Sequence, residues 1–150
     1  MADDEPTVIY TARATVTGGR DAGHGRTHDG AFEVSLRRPR EAGGEGGGAN
    51  PEQLFAIGYA ACFESALGMS ARRAGLDASD ASIDAQVSLV RAAADRFELA
   101  VALDVTLPSV EDPAQAVEAV RAAHRLCPYS NAIRSNVDVA LTANGRPVSA

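Results

Sequence analysis

Asn50-Pro51-Glu52-Gln53-Leu54-Phe55-Ala56-Ile57-Gly58-Tyr59-Ala60-Ala61-Cys62-Phe63 carries the strongest helix start in the chain. Asn50 is of the type that caps a helix. Pro51 fits the first helical position, where its missing N–H is no loss, and Gln53 stands at the capping-box position. Gly75 supplies a stop, so the helix is expected to run to about Arg73. Its expected buried stripe, at helical spacing, is Leu54, Gly58, Ala61, Cys62, Ser65 and Met69. Much of this helix is Ala, Gly and Ser, so something must pack very close to it. One protomer of 150 residues is not expected to cover it, and an intimate homodimer follows as the expectation.

Upstream, Val8 to Thr17 is rich in β-branched residues and reads as a strand, ended by a turn at Gly18-Gly19-Arg20-Asp21. Gly23 to Gly30 reads as a short hairpin. Ala31 to Leu36 alternates cleanly as a second strand, and Pro39 stops it. Arg40 to Ala49 holds five glycines in ten residues and reads as a flexible loop. It is acidic and no GKS or GKT follows, so it is no phosphate-binding P-loop. Downstream, Ser82 to Val90 and Arg96 to Leu107 alternate as two strands around a turn at Ala92 to Asp95. Asp112-Pro113-Ala114-Gln115 repeats the cap, Pro and Gln signature. It opens a second helix through about Leu126, with a stripe of Ala116, Val117, Val120 and Ala123 or His124. Val137 to Thr142 closes as a strand. The order β-β-α-β-β-α-β points to a single domain over residues 1–150, of antiparallel α+β class. Residues 1–6 and 145–150 are expected to be loose tails.

Composition narrows the function classes. The net charge of −6 argues against nucleic acid and anionic membrane as partners. No run of 18 apolar residues occurs, so no membrane span is expected. Met1 to Pro6 is acidic and lacks the pattern of a signal peptide, which makes the cytoplasm the default location. All fourteen basic residues are Arg, which weakens any argument from a single one of them.

Cys62 and Cys127 are the only thiols. In a reducing compartment they are expected to be free, metal-bound or redox-active rather than a structural staple. On spacing alone, each is more simply a core cysteine. An unassisted thiol of pKa about 8.5 is only ~3% thiolate at neutral pH, and burial lowers that further. If Cys62 is a nucleophile, a cation must lie beside it. Cys127 falls at the negative end of its helix, which disfavours a thiolate there unless Pro128 opens a new turn. Cys62 is thus the better first attacker. The cysteines lie far apart in sequence with no CxxC and only His24, His28 and His124 to help, and the i,i+4 pair His24 and His28 falls in a Gly-rich stretch not expected to be helical, so no metal is expected. Arg20 follows two glycines in a tight turn and is a candidate cation, whereas Arg13, Arg37, Arg38, Arg72 and Arg73 read as solvated. Glu52 sits in the first helical turn, a favourable place for a carboxylate whatever its role. Residue types alone leave an Arg20–Glu52 pairing open.

Three ordered motifs carry a resemblance. Gly18-Gly19-Arg20, Asn50 to Phe55 continuing through Gly58-Tyr59-Ala60-Ala61-Cys62-Phe63, and Cys127-Pro128-Tyr129-Ser130-Asn131-Ala132 resemble the organic hydroperoxide resistance (Ohr) proteins of the OsmC/Ohr superfamily. The resemblance covers roughly Tyr10 to Leu141. It implies an intertwined homodimer in which antiparallel sheets wrap around central helices, with active sites at the subunit interface. It implies a thiol peroxidase acting on organic hydroperoxides, as part of the response to oxidative stress. Cys62 would be the peroxidatic thiol, Cys127 the resolving thiol, Arg20 the activator of the thiolate and Glu52 the residue that holds Arg20. The family uses no metal or prosthetic group, and its preferred reductant is a lipoyl dithiol or a lipoylated protein. Glu64 departs from the expected residue type, but two positions along a helix is about 200°, which turns it off the thiol's face. Two other readings stand beside this one: an OsmC-type peroxidase of different substrate range, and a non-enzymatic redox-sensing dimer.

Overall fold

The computed structural model describes residues 5–149, which fall into two compact units divided between Pro51 and Glu52. Of the expected tails, residues 1–4 and 150 lie outside the described residues.

The first unit holds an antiparallel sheet of β1 (Ala14–Thr17), β2 (Gly23–Thr27) and β3 (Glu33–Leu36), in that order. Thr17 faces His24 across β1 and β2, and Gly23 faces Leu36 across β2 and β3. The strand expected from Val8 begins only at Ala14, because β2 ends at Thr27, opposite it. Backbone without a partner does not become a strand however β-branched it is, and Ile9 is 97% exposed. The expected hairpin at Gly23 to Gly30 is instead the central strand and its exit turn. The glycine-rich loop also departs from expectation. It opens with a 3-10 turn at Arg40–Ala42 and is then tied back by Gly44 N–H to Pro39 O (3.0 Å), Gly46 N–H to Arg38 O (3.1 Å) and Ala49 N–H to Ser35 O (3.0 Å). Its glycines permit close folding rather than free motion: a Cβ on Gly44 would sit 2.1 Å from the Arg38 carbonyl oxygen.

α1 (Pro51–Arg73) begins at the unit boundary. It ends in a Schellman motif, with Gly75 at φ +71°, Gly75 N–H on Arg72 O (3.1 Å) and Leu76 N–H on Ala71 O (2.9 Å). The second unit's sheet has the order β4 (Ser82–Ala93), β5 (Arg96–Thr106), β6 (Val139–Ala143), β7 (Arg146–Val148). β5 and β6 run parallel, a departure from the all-antiparallel expectation. Parallel neighbours need a crossover, and α2 (Pro113–Leu126) with α3 (Pro128–Ile133) supplies it. Asp112 caps α2 as expected, its carboxylate accepting from Ala114 N–H at 2.8 Å. The second expected tail is also corrected. Asn144 and Gly145 adopt φ +47° and +78°, the geometry of a two-residue hairpin turn, and β7 pairs back onto β6.

Val101, Leu103, Val105 and Leu107 alternate into the core, where they meet Tyr59, Phe63 and Leu67 of α1 and Val120 of α2. The buried face of α1 is Tyr59, Phe63, Ala66, Leu67, Ser70 and Ala71. It is not the expected stripe: Ala61, Ser65 and Met69 are exposed, while Leu54, Gly58 and Cys62 are half-buried. The small residues set that expectation, but the large apolar area lies on Tyr59, Phe63 and Leu67, and area decides which face turns inward. α1 also reaches the length and hydropathy of a membrane span, averaging 1.3 over 18 residues, which the absence of an unbroken apolar run did not anticipate. Its mid-helix Glu64 is exposed and would cost about 3 kcal/mol at a bilayer centre.

Candidate active site

Cys62 stands mid-way along α1, half-buried, and Cys127 is fully buried. Both are free thiols, and Cys62 packs against the buried cluster that contains Cys127. Residues far apart in the chain are thus brought together. Cys127 closes one helix and opens the next. Its N–H bonds Ala123 O at 2.8 Å, and its extended backbone (φ −64°, ψ 122°) is the conformation a following proline imposes. The new turn left open by the sequence is therefore present as α3. Its consequence falls on Cys62, because the backbone amide of Tyr129 is turned toward that thiol and favours its ionised form. The Cys62 thiol is nonetheless pushed above its ordinary value. Burial is the larger effect, the Tyr129 amide opposes it, and the neighbouring Cys127 thiol adds to it. Within this unit one amide does not outweigh desolvation.

Around the pair lies an aromatic cluster. Tyr129 stacks on Tyr59 with centroids 5.8 Å apart and meets Phe55 edge-on at 5.9 Å. Gly58 makes room for it, since a Cβ there would lie 2.9 Å from the Tyr129 hydroxyl. Beneath the pair runs a buried polar chain that sequence reasoning missed. The Ser130 hydroxyl bonds Tyr59 Oη at 2.7 Å and His124 Nδ1 at 2.9 Å. Burial, with a smaller push from Arg134, holds the His124 imidazole below its ordinary pKa. Burial also raises the Tyr59 phenol, the Ser130 hydrogen bond opposes that, and both thiols add to it. The one signal in the sequence was the place of His124 on the α2 stripe.

Arg20 lies in the turn between β1 and β2, on the first unit, where Gly18 and Gly19 take φ +76° and +63°. The tight turn expected there is present. Arg38, exposed as its solvated reading expects, also pairs with this turn: its Nε and Nη2 donate to the two oxygens of Asp21, both at 2.8 Å. Arg37 donates to the Leu36 carbonyl at 2.6 Å. Glu52 lies in the first turn of α1, ten residues before Cys62 and so about 15 Å from it along the axis. Among the described residues no three His, Cys, Asp or Glu side chains converge as a metal site would require.

The family model described as OsmC-like protein matches residues 44–142. An organic hydroperoxide resistance protein of Xanthomonas axonopodis pv. citri is 46% identical over 144 residues, 95% of this chain and 99% of its own length. A solved organic hydroperoxide resistance protein of Legionella pneumophila superposes with a TM-score of 0.84 at 47% identity, over 90% of this chain and 97% of that one. OhrB of Bacillus subtilis does so at 0.80 and 44% identity, over 89% and 98%.

Proposed function

The chain belongs to the OsmC-like family, in its organic hydroperoxide resistance branch, and we propose that it is a cysteine-based peroxidase that reduces organic hydroperoxides to alcohols. The observation that carries this reading is that two free thiols distant in sequence, Cys62 and Cys127, are brought together, Cys62 packing against the buried cluster that holds Cys127 and each close enough to influence the other electrostatically. The Cys62 thiolate attacks the outer oxygen of ROOH. The O–O bond breaks, sulphur gives up two electrons, and the alkoxide takes a proton to leave as ROH, with Cys62 as sulfenic acid. Cys127 then attacks that sulphur, the S–O bond breaks, and water leaves as the disulfide forms. An external dithiol, a lipoyl group by family analogy, returns both thiols by exchange.

Arg20 is the proposed activator. The Tyr129 amide does not overcome burial, so a cation must, and a guanidinium can do so without losing its own proton. Glu52, too far along α1 to meet the thiol itself, is the proposed holder of Arg20. Both units are taken as parts of one domain, and the protein as a cytoplasmic homodimer. The test is turnover of an alkyl hydroperoxide with dihydrolipoamide as reductant. Cys62→Ser is expected to fall to background, and Cys127→Ser to consume one hydroperoxide per chain and stall. Full turnover by Cys62→Ser would sink the assignment. Oxidation of the wild type without turnover would favour a redox-sensing dimer, and equal use of hydrogen peroxide an OsmC-type substrate range.

A further inference from the structure

We propose that Ser130, held between Tyr59 and His124, is a positioning residue that sets the Cys62–Cys127 pair for disulfide closure; this rests on the reading of those thiols as the reacting pair. Tyr59 stands three residues before Cys62, His124 three before Cys127, and Ser130 three after it. Each is about one helical turn from a cysteine, on the same side of its helix. Their polar atoms converge on one hydroxyl, at 2.7 Å from Tyr59 and 2.9 Å from His124. That hydroxyl therefore joins α1, α2 and α3, the three segments that carry both sulphurs and the Tyr129 amide. Tyr59 and Ser130 are fully buried and His124 is 4% exposed, so bulk water does not compete for these hydrogen bonds.

A serine hydroxyl has one proton to donate and two lone pairs, so it can satisfy both neighbours at once. The chain is anchored again where Arg134 Nη2 donates to the His124 carbonyl at 2.8 Å and to Asn131 Oδ1 at 2.7 Å. Disulfide closure tolerates only a narrow range of Cα and Cβ separations, and a misplacement of about 1 Å can cost ~100-fold in rate. Hydroperoxide attack on Cys62 requires no such match with Cys127. The network should therefore matter most in the second chemical step.

The test compares Ser130→Ala, His124→Leu, Tyr59→Phe and the conservative His124→Asn, whose side-chain amide can stand near the Nδ1 position. Three quantities are read: stoichiometric hydroperoxide consumption, disulfide closure after it, and the dithiol–disulfide exchange equilibrium against dithiothreitol, which needs no peroxide. For Ser130→Ala we expect closure to slow at least tenfold and sulfenic acid to become trappable by dimedone, with consumption changed less than threefold. The exchange equilibrium should move about tenfold toward the dithiol, or ~30 mV. His124→Leu should behave likewise and His124→Asn should recover most of the loss. Ser130→Ala and Tyr59→Phe combined should be non-additive. Unchanged closure and exchange in Ser130→Ala would overturn the proposal. So would parallel loss of both steps and of thermal stability with no recovery in His124→Asn. If the wild type consumes no hydroperoxide, the peroxidase reading fails by itself, and the exchange equilibrium still decides the role of Ser130.

Discussion

At the scale of single residues, the chemistry turns on what ionises Cys62. Burial and the adjacent Cys127 thiol push it up, and only the Tyr129 amide pulls it down. An ordinary thiol is only ~3% ionised at neutral pH, so if Arg20 overcomes this and brings Cys62 well below neutrality, the thiolate fraction rises about 30-fold or more, on the order of 2 kcal/mol. In Arg20→Ala the titration of Cys62, followed by thiolate absorbance in a Cys127→Ser background, should therefore move upward past the ordinary thiol range. The rate at pH 7 should fall by at least about 30-fold and recover in part as pH rises through the new midpoint. An unmoved titration would remove Arg20 from this role. Motif residues singled out Cys62, Cys127, Arg20 and Glu52, and of these the structure brings the two cysteines together. Ser130 and Tyr59 were not legible as a polar network, because a serine in a turn and a tyrosine on an apolar helix face look ordinary until three helices are folded together. Arg38 is exposed as expected, but its partner Asp21 lies on another strand connection, and single-residue solvation arguments do not see that pairing.

At the scale of elements, punctuation was more legible than faces. Caps and stops placed α1 and α2 closely: Pro51, Gly75, Asp112 and Pro113 each act locally, through backbone groups within a few residues. The inward face of α1 was missed because it depends on which side chains the sheet of the second unit can accommodate, a non-local matter. The Asn144-Gly145 turn was the opposite case, a local hairpin signal passed over in favour of a tail. Gly58 tests how α1 serves the site. Alanine there gains about 1 kcal/mol of helix propensity over glycine, but its Cβ would lie 2.9 Å from the Tyr129 hydroxyl. Tyr129 is 39% exposed, so its ring can swing outward instead of straining the backbone. Gly58→Ala should therefore hold its thermal stability within about 1 kcal/mol of wild type by denaturant titration. Tyr129 should become more reactive toward a tyrosine-nitrating reagent, and peroxidase turnover should fall several-fold. Lost stability with unchanged tyrosine reactivity would mean that the helix, not the ring, absorbs the clash.

At the scale of the molecule, the question is what covers the outer side of α1. Ile57 is 69% exposed and Met69 47%, and Ala61 and Ser65 between them are exposed as well. These positions recur at helical spacing, so they form one continuous strip of small and apolar residues. Small side chains on such a strip allow the backbone of another helix to approach closely, and a strip of this kind on a lone chain would leave apolar area in water at about 25 cal/mol per Å². The homodimer proposed above gives that strip a partner of the same composition. Light scattering coupled to gel filtration should therefore return twice the chain mass at micromolar concentration. An arginine introduced in Ile57→Arg or Met69→Arg should bring two like charges together across a self-complementary contact. The measured mass should then shift toward a single chain while the far-ultraviolet circular dichroism stays that of the folded protein. A wild type that elutes as one chain, or an Ile57→Arg and Met69→Arg double variant that stays paired, would place the dimer contact elsewhere or nowhere.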